Sequence, residues 1–160
     1  MHLLDELIQK IQKNDSNTTW KDVWKYVFQL EKIYVAIKPP ETEQEKETLF
    51  FFTGHTSYGS TIFAFTDLEH YEIFEKNMGS SIDLPFKPKE LSMQEFLYVC
   101  QNLTEQKLNY VSFNYLSDYG FHVEVERIVP MFNRFIHHDH VKEEVIRGKT
   151  KIEVAIPDEL

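Results

Sequence analysis

The densest chemistry in the chain is the run "FIHHDH" at positions 135–140. Imidazoles beside a carboxylate can hold a transition metal or move protons near neutral pH. On a continuous helix His137, His140 and Glu144 share a narrow arc, and two histidines with a carboxylate are a recognised metal triad. The spacing speaks against it. Helix-borne zinc pairs of the H-E-x-x-H kind lie at i and i+4, whereas His137 and His140 lie at i and i+3. The other reading makes Asp139 the N-cap of a short helix that buries Val141, Val145 and Ile146 and closes at Gly148. The run is therefore read as a surface feature, and no metal or cofactor is assigned.

Other residues with reactive chemistry gather less well. His55, Ser57 and Ser60 pair a base with hydroxyls, but no G-x-S-x-G elbow presents them. "GHTSYG" is not followed by the Lys-Ser/Thr of a phosphate loop. Asp118 with Glu124, and Asp67 with Glu69, are carboxylate pairs of a kind that 26 acidic residues produce by chance. Cys100 lies on the apolar face of a helix and reads as a small buried hydrophobe. No catalytic residue is assigned. Loop tyrosines suit partner contacts better. Tyr58, Tyr115 and Tyr119, with Asp118, are taken as the partner-binding candidates, the alternative being packing beneath neighbouring loops.

Composition narrows the classes. The chain has 160 residues, 42% of them hydrophobic and 14% aromatic, with only 5 Gly and 6 Pro. That suits one folded domain and excludes a disordered chain. The net charge of −9 repels phosphate backbones, so nucleic acid is not expected, and a basic protein partner is. A single cysteine allows no internal disulfide and fits a reducing compartment. No secretory signal or membrane span is read from the chain, and a cytoplasmic protein is expected.

The elements that must position these residues follow from periodicity. Leu4, Leu7, Ile8 and Ile11 form one helical face. Trp20, Val23, Trp24, Val27 and Phe28 form another, with Thr18 or Thr19 as cap, and this face is expected to be buried against the body or against a partner. "KIYVAIKPP" reads as a strand and "ETEQEKE" as a charged loop. "TLFFFTG" and "STIFAFT" form a hairpin, the first dense enough to be buried on both faces. A helix follows with Thr66 as N-cap and Glu69 at N3, burying Leu68, Tyr71, Phe74 and Met78. "SSIDLPFKPKE" is extended and broken by proline. Ser92 and Glu95 box the next helix, which buries Met93, Phe96, Leu97, Cys100 and Leu103. "NYVSFNYL" is a strand, and "FHVEVERI" alternates as a strand does. Pro130 opens a helix carrying Phe132, Phe135 and Ile136, and "KTKIEVAIP" ends the chain as a strand or tail. The expected fold is α/β (α+β): a mixed sheet of about five strands with helices packed on it, preceded by an amphipathic helix pair. Residues 1–29 form the helical extension and 30–160 the α/β domain, together one globular unit.

Residues 30–129 resemble the N-terminal domain of the SseB family, the enhanced serine sensitivity proteins. The opening strand "KIYVAIKPP", the strand-to-helix step "FAFTDLEHYEIF", the helix "QEFLYVCQNL" and the segment "VSFNYLSDYG" carry the likeness. Asn114-Tyr115 stands where the family usually has Asn-Pro. The resemblance implies an α/β domain with a mixed sheet, no cofactor and no catalytic residues. It also implies a helix after the turn, whereas the alternation over 121–128 reads as strand.

Three functions follow as expectations. The first is a non-catalytic protein-binding or regulatory module of bacterial type. The second is an immunity protein that neutralises a toxin by covering it. The third is a hydrolase or metal-dependent enzyme using His137, His140 and Glu144, or His55. A homo-oligomer is compatible with each.

Overall fold

A computed structural model describes residues 2–39, 48–57, 59–78, 86–106, 108–136 and 151–155. Helices α1 (Leu3–Gln12) and α2 (Trp20–Phe28) come first. Strands β1 (Lys32–Lys38), β2 (Thr48–Thr56) and β3 (Gly59–Phe65) lead into α3 (Leu68–Met78). Then follow β4 (Lys87–Ser92), α4 (Met93–Glu105), β5 (Tyr110–Phe113) and β6 (Phe121–Glu124). A 3₁₀ turn (Val125–Arg127) runs into α5 (Ile128–Ile136), and β7 (Lys151–Ala155) closes the fold. The "ETEQEKE" loop and the short helix proposed after Asp139 lie outside the described residues.

The strands form one mixed sheet in the order β4-β1-β2-β3-β5-β6, with β7 parallel to β2. That exceeds the expected five. The strand most clearly missed is β4, "KPKELS", which carries a proline, three charged residues and one buried side chain, Leu91. Such a sequence forms a strand only because β1 holds it as an edge, from Lys32 opposite Ser92 to Ile37 opposite Lys87. The β2–β3 hairpin is tighter than expected, with Thr56 opposite Gly59. Where β2 and β3 part, β1 pairs with each in turn, Ile37 opposite Phe51 and Val35 opposite Ala64.

Both faces of the sheet are covered, and the period of two sorts the side chains. Phe51, Ile62 and Ala64 join Ile33, Val111 and Phe113 in a core shared with α1, α2, α4 and α5. Their neighbours Phe52, Phe63 and Phe65 turn to the opposite face, where Tyr71 and Phe74 of α3 cover them. The dense runs "LFFF" and "TIFAF" are thus strands sealed on both sides, as their composition implies. Leu4, Ile8, Val23, Trp24, Val27 and Phe28 enter the larger core, so the first two helices are continuous with it.

Local capping follows the sequence with one change. Ser92 N–H donates to Glu95 Oε1 at 3.0 Å, and Glu95 N–H donates to Ser92 Oγ at 3.1 Å, the reciprocal box that starts α4. At α2, Thr19 N–H donates to Asp22 Oδ2 at 2.8 Å. At α3 the cap is Asp67 rather than Thr66: its Oδ1 accepts from His70 N–H at 2.9 Å. Thr66 is instead buried against Asn114, whose Oδ1 accepts from Thr66 N–H and whose Nδ2 donates to Thr66 Oγ1, both at 3.0 Å. Moving the cap by one residue turns Leu68 outward, to 46% exposure. Over 121–128 the alternating strand stops at Glu124, and the chain is helical from Val125. Strand and helix each hold half of that segment.

Candidate functional site

The partner-binding residues expected from sequence do not form one surface. Tyr115 is half-buried against Phe63 (ring centroids 5.2 Å) on the α3 side of the sheet. Tyr119 packs on the core of the other face. Only Asp118, between them, is exposed. Tyr58, His137, His140 and Glu144 lie outside the described residues. Ser60 Oγ is held by Asn109, 2.9 Å from its Oδ1, which removes it as a free hydroxyl. Cys100 is fully enclosed in α4, and burial pushes its thiol far up in pKa, so it stays protonated.

Two arrangements on the described surface do converge. The first surrounds β6, the last strand of the sheet, whose outer edge pairs with no strand among the described residues. One cleft of about 370 Å³ is lined by Trp20, Trp24, Tyr110, Arg127 and Met131 together with β6. A second, of about 250 Å³, is lined by Tyr115, Leu116, Asp118 and Gly120, again with β6. Phe121 and His122 line both. Trp24 is buried as expected, in edge contact with Phe113 and Phe121 at 5.5 Å. Trp20 is not covered by the body of this chain: it is 44% exposed and leans on Phe121 at 5.7 Å. Four of the five stripe residues on α2 already reach the core, and Trp20, on the first turn, meets the Phe121 ring at the start of β6.

The second arrangement joins the first turns of α1 and α3. The sequence "HLLD" puts His2 and Asp5 three apart, and "DLEH" puts Asp67 and His70 three apart in the reverse order. His70 is 3% exposed and lies between two carboxylates. Its Nδ1 is 2.8 Å from Asp67 Oδ1, and its Nε2 is 3.2 Å from Asp5 Oδ2. His2 Nε2 is 2.6 Å from Glu69 Oε2, and the His2 and His70 rings stand 5.2 Å apart. Burial alone would lower the His70 pKa, but the Asp67 hydrogen bond and the charges of Asp67 and Asp5 outweigh it and raise it. Burial likewise pushes Asp67 up, and His70 more than offsets this, leaving Asp67 below the usual carboxylate range. Sequence reasoning noticed Asp67 and Glu69 only as a chance pair. It missed His2, Asp5 and His70, whose one signal was the mirrored spacing at two helix starts.

No family model matches the chain, and comparison with curated proteins and with solved structures finds none that match. Among the described residues no helix is long and apolar enough to cross a membrane.

Proposed function

We propose that the protein is a non-catalytic binding module that takes an extended, basic segment of a partner protein alongside β6. The observation that carries this is the edge of β6 flanked by two clefts that share Phe121 and His122. An edge strand offers main-chain hydrogen bonds to an added strand, and clefts on either side give alternate side chains of that strand somewhere to go. Trp20, exposed and backed by the buried Phe121 ring, supplies aromatic anchoring, the residue class that dominates interface energy. Asp118 and Glu124 at the cleft walls and the net charge of −9 favour a basic segment. The resemblance to the SseB family agrees with this reading in bringing no active site.

The test is capture of partners from host lysate by wild-type protein and by Trp20→Ala, with peptide mapping of any stoichiometric partner. A basic partner held by wild type and lost by Trp20→Ala, at an unchanged melting temperature, is the expected result. Equal capture by both proteins rejects the β6 site.

A further inference from the structure

We infer that His2, Asp67 and His70 form a binding site for a divalent transition ion of the zinc class, independent of the β6 clefts. One ligand atom from each of the three residues lies within 4.8 Å of the others. Two atoms bound tetrahedrally at about 2.1 Å from one ion stand roughly 3.4 Å apart. With Asp67 Oδ2 as the ligand atom, the observed separations straddle that value: it is 2.9 Å from His70 Nδ1 and 3.9 Å from His2 Nδ1. Small side-chain adjustments bring these atoms to ligand distance of one ion.

The outer contacts make this more than a chance grouping. Each imidazole is held at Nε2 by a carboxylate of its own, His70 by Asp5 and His2 by Glu69. A carboxylate that accepts from Nε2–H leaves Nδ1 as the nitrogen that serves the metal once any proton there has gone. Both histidines thereby offer Nδ1 to the side where Asp67 lies. Asp5 Oδ1 is buried with no hydrogen-bond partner, a negative atom that a nearby cation would stabilise. Three carboxylates face two imidazoles, so the cluster is short of positive charge even with both rings protonated. His2 and Asp67 are 39% and 31% exposed, which gives the ion its entry and leaves a fourth position for water or an outside ligand. Two imidazoles and one carboxylate select a borderline ion over magnesium or calcium, which prefer all-oxygen shells. Binding replaces the proton on His70 Nδ1, and that proton leaves to solvent.

The experiment is calorimetric titration of zinc into the untagged, chelator-treated full chain near neutral pH, with magnesium as control. His2→Ala is the main variant, because His2 is exposed enough to be lost without cost to the core. The expected result is one zinc equivalent fewer in His2→Ala than in wild type, with Asp5→Asn weakening that equivalent by about 10–100-fold. A His137→Ala/His140→Ala variant keeps it. Wild-type protein that binds no zinc, equal binding by His2→Ala and wild type, or loss confined to His137→Ala/His140→Ala overturns the site.

Discussion

His70 and Asp5, 65 positions apart, meet through Nε2 and Oδ2 at 3.2 Å. With Asp67 on the other ring nitrogen, this contact ties the first turn of α1 to the first turn of α3. The N-terminal helix is therefore held by charge as well as by Leu4 and Ile8.

That tie is pH-dependent in a stated direction. The His70 pKa is raised in the folded protein, so its contribution is complete below the unfolded value of 6.5 and is lost as pH rises through the folded value. Asp67 is lowered, so its contribution is present above 3.8 and is lost as pH falls through its folded value. His2, Asp5 and Glu69 face the same pair. Chelator-treated protein should be most stable between 3.8 and 6.5 as far as this cluster governs, and lose stability above it. Urea midpoints across pH for wild type and His70→Gln check this. The same slope above neutrality in both proteins would count against it.

Asn114 is fully buried with φ 53°, a backbone region that Asn tolerates better than most residues. Its side chain satisfies both Thr66 N–H and Thr66 Oγ1. Asn114→Ala should cost roughly 2–4 kcal/mol, because it loses two hydrogen bonds and orphans a buried N–H. Asn114→Gly relieves the backbone but not the orphan, so it should recover only a small part. Gly120 belongs to the same turn: a Cβ there would stand 2.7 Å from the Asn114 carbonyl oxygen. Full rescue by Asn114→Gly in thermal melts would show that the backbone, not the bridge, matters.

The two tryptophans of α2 should separate by phenotype. Trp24 is 6% exposed and touches Phe28, Phe113 and Phe121, so Trp24→Ala should cost about 3–5 kcal/mol. Trp20→Ala should leave stability within about 1 kcal/mol, since nearly half of Trp20 already faces water. Chemical denaturation of both variants decides. Comparable losses would mean that Trp20 belongs to the core after all.

Cys100 should not react with a thiol reagent in the native protein. Burial holds the thiol protonated, and α4 encloses it. Modification should appear only as urea unfolds the chain, on the same curve as tryptophan fluorescence. Rapid native labelling would contradict the burial.

The amino-acid order by itself determined the elements whose strong local pattern no distant contact overrides. The stripes of α1 and α2, the Ser92–Glu95 box, the doubly sealed β2–β3 hairpin and the α+β class belong here, because side-chain period and capping act within a few residues. Tertiary structure decided what depends on a neighbour. β4 is a strand because β1 holds a charged, proline-bearing segment at the sheet edge. Thr66 yields the cap to Asp67 because Asn114, 48 positions on, claims its polar groups. The alternation over 121–128 breaks where β5 ends its pairing with β6 at Tyr110 opposite Glu124. Tyr115 and Tyr119, neighbours in one loop, are sorted to opposite faces of the sheet. The His2–Asp5–Asp67–His70 cluster has no local signature beyond two short spacings. It exists because folding lays the start of α1 against the start of α3, and only proximity in space turns scattered imidazoles and carboxylates into one electrostatic unit.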